Sequence, residues 1–167
     1  MKDIELKLIS ELVRNSRRSD RELAKTLGVS QPTVTRTRLR LEKQGLIDYS
    51  ALPNLAKLGF DIIAVTFGNR DYQKHPKINL QKAKDFAERH PGLIFGAFGS
   101  GMGHDRIAIS IHRNYSDYSK FFQEMRSEWA DIMDIEDSFI VSLKSKEVIQ
   151  PLSLKHLADQ LKNEKES

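Results

Sequence analysis

The sequence predicts an α+β fold, and three observations lead to that prediction. The first 58 residues hold three short segments whose apolar residues recur at helical spacing. The remainder follows the order strand, helix, strand, strand, helix, strand. Basic side chains are concentrated in the first part. Together these features predict an N-terminal winged helix-turn-helix followed by a C-terminal ferredoxin-like βαββαβ domain.

The domain boundary is predicted within residues 53–59, where Pro53 and Asn54 interrupt the preceding pattern. We expect residues 1–58 to form the helix-turn-helix domain and residues 59–152 to form the ferredoxin-like domain. Residues 153–167 are expected to form a short terminal helix and a tail. A chain of 167 residues has room for two small domains of this kind.

Composition limits the classes of function. Residues 1–58 carry 12 Lys and Arg against 7 Asp and Glu, whereas residues 59–167 carry 15 against 16. A basic first domain favours a polyanionic partner, although charge alone fits DNA, RNA and a membrane surface equally. The absence of cysteine excludes a disulfide framework and cysteine-rich zinc sites. Since no apolar segment resembles a signal peptide or a membrane span, we expect a cytoplasmic protein with no membrane partner.

No catalytic or metal constellation is apparent in the sequence. The five histidines lack the spacing of a metal site, and no serine occupies a nucleophile elbow. No pair of carboxylates is marked out for acid–base work. We therefore expect no metal, no cofactor and no catalytic residue.

Local signals define the two helices of the helix-turn-helix. Ser19 and Glu22 form a capping box at the start of the first helix. Gly28 occupies the position where the chain adopts a left-handed conformation at a helix C-terminus. Ser30 caps the second helix, and Pro32 lies in its first turn, where a missing N–H group does little harm. This pattern predicts two helices joined by a short glycine turn.

The second of these helices has one apolar and one basic side. Val34 and Leu41 share one side at 100° per residue, and the opposite side is polar and basic. Such a face on an isolated helix is commonly just solvated, but a helix held across another by a short turn fits the major groove of DNA. Gln and Arg can bond base edges in pairs, and Arg and Lys also contact phosphates. The candidate DNA-binding residues are Ser30, Gln31, Thr33, Arg36, Arg40 and Lys43.

The other elements complete both domains. Residues 3–15 are predicted to form an amphipathic helix, and the Arg17–Arg18 pair that follows it fits phosphate contact and simple solvation equally. Residues 46–51 alternate enough to form the strand of a wing. The second domain is expected to have strands at 60–67, 93–98, 106–111 and 135–143. Its helices should begin at Asn79 and at Ser116 or Asp117, with a polar loop at 69–78. A sheet with both helices on one face leaves the other face for a second copy of the domain.

These segments resemble the Lrp/AsnC family of bacterial and archaeal regulators, also called feast/famine regulatory proteins. The resemblance implies a protein that binds double-stranded DNA through its second motif helix and pairs its sheets into a homodimer, with dimers often gathering into rings such as octamers. Two departures are Arg38, where the family usually has an aliphatic residue, and a shorter connector at 48–54. We expect the Arg38 stem to cover the core edge and its head to reach solvent. The resemblance is carried by residues 4–13, 22–24, 27–30, 36, 40–42, 45–47, 57–59 and 146–152.

A glycine-rich turn is the second candidate site. Several glycines let backbone N–H groups approach a ligand, and the resemblance implies an amino-acid effector whose amino group faces the aspartate. The turn is longer than the family's, with Met102 three residues before that aspartate. The alternative is a hairpin whose glycines serve geometry alone. The candidate effector-binding residues are Gly99, Gly101, Gly103, His104 and Asp105.

The sequence therefore predicts a sequence-specific transcriptional regulator that is not an enzyme. Two alternatives stay open at this point. A few relatives of this architecture are haem-pathway decarboxylases, and a DNA-packing protein of low specificity would show the same basic helix.

Overall fold

The computed structural model describes residues 2–72 and 80–163. The chain forms two compact units, unit 1 from residues 1–52 with 150–167 and unit 2 from residues 53–149. The terminal segment therefore belongs to the same unit as the N-terminal helices. In chain order the elements are α1 (Asp3–Arg14), α2 (Asp20–Leu27), α3 (Gln31–Lys43), β1 (Ile62–Arg70), α4 (Leu80–Arg89), β2 (Leu93–Gly101), β3 (His104–His112), α5 (Tyr115–Trp129), β4 (Met133–Ser142) and α6 (Leu157–Asn163).

The predicted helix-turn-helix is confirmed at its caps. The Ser19 hydroxyl accepts a hydrogen bond from the backbone N–H of Glu22, whose carboxylate accepts one from Ser19 N at 2.8 Å. Gly28 has a φ of 67°, and Ser30 caps α3 by accepting from Thr33 N. Apolar side chains from all three helices form the core beneath, in which Leu8, Leu23, Val34 and Leu41 are all 0% exposed.

The wing predicted at residues 46–51 is absent, which corrects the winged form of the motif. A strand needs a partner to satisfy its backbone groups, and the described residues of unit 1 contain no second strand. The chain instead closes α3 as Gly45 adopts a φ of 66° and Leu46 N donates to Leu41 O at 2.9 Å. The segment then continues without regular structure.

The terminal helix α6 packs against α1. Ser10 and Ala158 are both 0% exposed, and the Ser10 hydroxyl donates to the Ala158 carbonyl at 2.7 Å. Leu161 packs against the apolar core of unit 1, and Asp159 pairs with Arg14 at the surface. The last helix thus covers a face of α1 that three helices alone would leave open.

Unit 2 has the predicted ferredoxin-like topology. Its four strands lie in the order β2-β3-β1-β4, and all neighbouring pairs are antiparallel. Strand β1 runs to Arg70, so Asn69 and Arg70, predicted in a loop, belong to the strand. The cap predicted at Asn79 lies outside the described residues. The N-cap of α5 is Asn114, not Ser116 or Asp117, because the Asn114 side chain accepts from Asp117 N at 2.9 Å.

The two faces of the sheet differ in cover. Burial alternates along β1, and Ile62, Ala64 and Thr66 are buried on the face that carries the helices. The other face, here called the open face, displays the intervening residues of β1 and their cross-strand partners. The open-face side chains on β1, β3 and β4 are Ile63, Val65, Phe67, Ile107, Ile109, Ile111, Phe139 and Val141.

No helix in the described part of the chain is long and apolar enough to cross a membrane.

Candidate nucleic-acid interface

Packing determines which side of α3 faces solvent. Val34, Thr37 and Leu41 are buried against the other helices of unit 1. The first turn is fixed by its cap, since the Ser30 and Thr33 hydroxyls lie 2.8 Å apart. The side of α3 that faces solvent is therefore the polar and basic side, on which the candidate DNA-binding residues were predicted.

Arg36 and Lys43 project from this surface without an acidic partner. Both residues are exposed, and neither forms an ion pair with any described residue. Among the described residues the Arg36 guanidinium makes one long hydrogen bond, donated by Nε to the Pro32 carbonyl at 3.4 Å within its own helix. Gln31, at the first position of α3, is also exposed. The three side chains are therefore available to a ligand outside the helix.

Arg40 is divided between the outer face and α1. Its Nη2 pairs with Oε1 of Glu5, whose side chain is 12% exposed, while the Arg40 side chain is 42% exposed. A backbone hydrogen bond from Lys2 lowers the pKa of the Glu5 carboxyl, and the charge of Arg40 lowers it further. One edge of the Arg40 guanidinium is thus engaged in the fold and the rest of the side chain is exposed.

The head of Arg38 is bound to groups of unit 1, which corrects the expectation that it extends freely into solvent. Its Nη1 lies 2.8 Å from Oδ1 of Asp20, and its Nη2 donates to the Arg18 carbonyl at 3.3 Å. Thr35 donates to the other Asp20 oxygen at 2.6 Å. Asp20 begins α2 with a side chain only 18% exposed, so its charge requires a cation nearby. Arg38 and Thr35 therefore fix α3 against the start of α2.

The arginines between α1 and α2 have different roles. Arg18 pairs with Glu11 and donates to the Thr26 hydroxyl and the Glu22 carbonyl, so it connects α1 to α2. Arg17 is exposed and forms no ion pair in the described part of the chain. The same holds for two further cations on α2, which are Arg21 and Lys25.

Leu39 is an outward residue that the sequence reasoning missed. It is 59% exposed and lies on the basic side of α3, three residues after Arg36 and four before Lys43. An apolar side chain among exposed cations can contact the methyl group of thymine. The available signal was its helical angle, which places it on the basic side and away from Leu41.

The glycine-rich turn is a tight hairpin. Strands β2 and β3 are longer than predicted, so Gly99, Gly101, His104 and Asp105 lie on the strands. The link consists of Met102 and Gly103, with φ values of 53° and 80°, between the paired residues Gly101 and His104. Such a two-residue turn requires left-handed conformations, which explains Gly103 without a ligand.

Asp105 contacts the end of β1. Its Oδ1 accepts from Arg70 N at 3.2 Å, and its backbone N–H donates to Asn69 Oδ1 at 3.1 Å. His104 stacks on Phe67 with ring centroids 5.3 Å apart. The structure therefore brings His104 and Asp105 together with polar groups of β1 that the sequence did not single out.

Comparison with known proteins identifies the family. Residues 1–42 match the AsnC-type helix-turn-helix domain. The HTH-type transcriptional regulator Ptr1 of Methanocaldococcus jannaschii is 31% identical over 124 residues, which cover 72% of this chain and 78% of Ptr1. The chain belongs to the Lrp/AsnC family. As an Lrp/AsnC protein it is a DNA-binding transcriptional regulator.

Solved structures extend the likeness of this Lrp/AsnC chain over both units. An AsnC family regulator from Agrobacterium tumefaciens superposes with a TM-score of 0.69 at 20% identity, covering 94% of this chain and 99% of that one. A transcriptional regulator from Neisseria meningitidis, solved in complex with L-Met, gives a TM-score of 0.70 at 16% identity, with the same coverage. The fold is therefore that of Lrp/AsnC regulators across nearly the whole chain.

Proposed function

We propose that this Lrp/AsnC regulator binds DNA as a homodimer and reads a specific sequence in the major groove with α3. The observation that supports this most is the state of the arginines in unit 1. Arg18 and Arg38 are paired with acids inside the unit, whereas Arg36 and Lys43 face outward with no ion pair among the described residues. A cation that the fold does not neutralise is available to the phosphates and bases of DNA.

The exposed residues of α3 divide by chemistry into two roles. Gln31 and Arg36 have planar groups that can bond a base edge at two points, and Leu39 offers an apolar contact to thymine. Lys43 suits a phosphate as a point charge, and the exposed edge of Arg40 suits a phosphate or a guanine. Ser30 and Thr33 lie at the N-terminus of α3, where hydroxyl and N–H groups meet a phosphate favourably.

The open face of the sheet supports the homodimer. Phe139 is 67% exposed on β4, and it lies in the same cross-strand row as Val65 and Ile109. An apolar face that spans several strands needs a partner, and a second copy related by a two-fold axis is the common solution. Such a dimer carries two α3 helices for successive major grooves, about 34 Å apart, so its operator should be a degenerate palindrome. Association of dimers into an octamer would be a further step.

An amino-acid effector at the β2–β3 hairpin is the second part of the proposal. The L-Met in the Neisseria meningitidis regulator, a structural neighbour, supports this class of ligand. Oδ2 of Asp105 makes no hydrogen bond in the described part of the chain, and it is the atom to receive an ammonium group. The backbone at Gly99, Gly101 and Gly103 and the ring of His104 complete the candidate contacts. An effector would act by binding one assembly state of the protein more tightly than another.

The relatives of this chain are transcriptional regulators, which favours a regulatory role without catalysis. A regulator of this kind would act in the cytoplasm, where bacterial and archaeal DNA is located. The haem-pathway decarboxylase alternative predicts a coloured tetrapyrrole bound to purified protein. An absorbance spectrum with and without added haem tests that alternative.

The experiment that tests the main proposal is a titration of the full chain against its own upstream DNA and a scrambled fragment of equal length, at two salt concentrations. We expect tight binding that prefers the upstream fragment and weakens as salt rises. Equal, salt-sensitive affinity for the two fragments would replace the proposal with DNA packing. Absence of binding at low salt would overturn it.

A further inference from the structure

Unit 2 contains a cavity between α4 and the sheet that neither the DNA-binding face nor the open face uses. Its volume is about 540 Å³, and its walls are mostly apolar. Phe86, Met125 and Trp129 line it from the helices. Cavities of roughly 300–1,000 Å³ hold small organic ligands in proteins.

Gly96 keeps the sheet side of this cavity empty. It lies on β2 among the lining residues, and a Cβ atom added to it would meet nothing within 4 Å. Its φ lies outside the left-handed region, so the position does not require glycine for backbone reasons. The space above Gly96 is therefore room that a larger side chain would fill.

Arg106 places a buried positive charge on the wall of the cavity. Its side chain is 10% exposed, and its guanidinium carbon lies 4.6 Å from the ring centroid of Phe98. Nε lies 3.2 Å from Oδ1 of Asp105 but not in hydrogen-bond geometry, and it is buried without a hydrogen-bond partner. The described residues supply no acceptor to the terminal nitrogens. Unlike Nε, these terminal nitrogens are not among the fully buried atoms that lack a partner. They are therefore accessible to an anion that enters the cavity, and a carboxylate could accept from both.

Two charged neighbours act on Arg106, the negative Asp105 and the positive Arg70. Burial lowers the pKa of Arg106, and the nearby charge of Arg70 lowers it further against the opposing effect of Asp105. Arg70 also has two buried nitrogens, Nε and Nη1, without hydrogen-bond partners, and it lies over the ring of Tyr72 at 4.0 Å. Among the described residues that line the cavity, the charged ones are Lys84 and Arg106, both cations. Within the cavity these two cations favour a carboxylate over an ammonium group, whereas Asp105 is not among the residues that line the cavity.

We propose that the cavity binds a small carboxylate with an apolar body and without an amino group. The carboxylate bonds the Arg106 guanidinium, and the hydrocarbon part lies against Phe86 and Trp129 above Gly96. The site differs in ligand class from the amino-acid effector proposed at the hairpin. It is independent of DNA binding by α3, so the failure of one leaves the other standing.

Trp129 provides the measurement, because it is the single tryptophan of the chain and lines the cavity. The full chain would be titrated with 4-methylpentanoate while its tryptophan emission is followed, with calorimetry as a second readout. The amide of the same acid and leucine serve as matched ligands that lack the negative charge or add an ammonium group. We expect saturable binding of the carboxylate, and binding of both controls weaker by about tenfold or more.

Two variants locate the binding. Gly96→Leu fills the cavity and should abolish carboxylate binding while far-UV circular dichroism and melting temperature stay near those of the parent protein. Arg106→Met should bind the acid and its amide with equal affinity. Arg126→Met is the matched control, since Arg126 also lies over a phenylalanine ring, at 5.8 Å from Phe122, but is exposed and outside the cavity.

Three results would overturn the proposal. The first is no saturable response to the carboxylate, and the second is equal affinity of the parent protein for acid and amide. The third is a folded Gly96→Leu variant that binds as the parent does.

Discussion

Replacing Arg36 by alanine tests the recognition helix most directly, because the side chain has almost no role in the fold. Its only bond among the described residues is the 3.4 Å contact with Pro32 in the same helix. Removing an exposed side chain of this kind changes the free energy of unfolding by less than about 0.5 kcal/mol. A loss of DNA binding in Arg36→Ala would therefore report on the interface.

The size of the loss depends on what Arg36 contacts. A bidentate contact to a base contributes about 1–3 kcal/mol, and a dimer makes it twice, so the loss is about 2–6 kcal/mol, or at least about thirtyfold in affinity. A phosphate contact instead lowers the slope of log K against log salt by about 0.9 per contact, or about 1.8 per dimer. Loss of a base contact weakens binding to the operator alone, whereas loss of a phosphate contact weakens binding to any DNA sequence equally.

The assay is fluorescence anisotropy of labelled operator and scrambled duplexes at four salt concentrations. Arg126→Ala removes the same charge from the exposed surface of α5 and controls for net charge. The double change Arg36→Ala with Arg40→Ala should weaken binding further than Arg36→Ala alone, and by more than tenfold even if both side chains contact phosphates, with oligomer size unchanged. Arg40→Ala alone is a less clean test, since it also leaves Glu5 unpaired. Affinity of Arg36→Ala within threefold of the parent at every salt concentration would refute the assignment.

Three further predictions concern the fold and the assembly. Phe139→Glu should convert the proposed dimer to a monomer in light scattering, because it places a charge on the open face. Tyr115→Glu, equally 67% exposed but on α5, should leave the oligomeric state unchanged. Arg38→Ala should lower the free energy of unfolding of unit 1 by about 2–4 kcal/mol in urea unfolding followed by circular dichroism, since it leaves the largely buried charge of Asp20 unpaired. An unchanged midpoint would contradict this. Burial lowers the pKa of His112 below its usual 6.5, so as pH falls through 6.5 the unfolded chain binds a proton that the folded chain does not. Below pH 6.5 the free energy of unfolding of unit 2 should therefore fall by up to about 1.4 kcal/mol for each unit that the pH is lowered, as measured by tryptophan fluorescence in urea. His112→Gln should remove this dependence on pH.

Features that depend on neighbours in sequence were predictable. The Ser19–Glu22 capping box, Gly28 and Ser30 were correct because a cap is decided within about four residues. The strand and helix order of unit 2 was correct because alternation and helical spacing are also local patterns. These signals were sufficient for the α+β class and for the outward face of α3.

Features that depend on distant residues were not predictable. The strand at 46–51 fails because pairing needs a partner that the pattern does not specify. The cap of α5 is a local feature that was nevertheless predicted wrongly, because Asn114, Ser116 and Asp117 are all cap formers within four residues and their order alone does not choose between them. The cavity in unit 2 depends on how α4 packs against the sheet and leaves space above Gly96. The hydrophobic periodicity of the sequence does not predict that packing.

The arginines of unit 1 show how the fold converts composition into a surface. All of them are basic in the sequence, but the acids buried near the helices pair with some of these arginines and not with others. Glu11 pairs with Arg18, Asp20 pairs with Arg38, and Glu5 pairs with one edge of the Arg40 guanidinium. These pairs connect α1, α2 and α3, and they orient the negative charges toward the interior. Because these acids are already paired within the unit, the unpaired positive charge lies on the outer side of α3 and on α2, where a polyanion can bind.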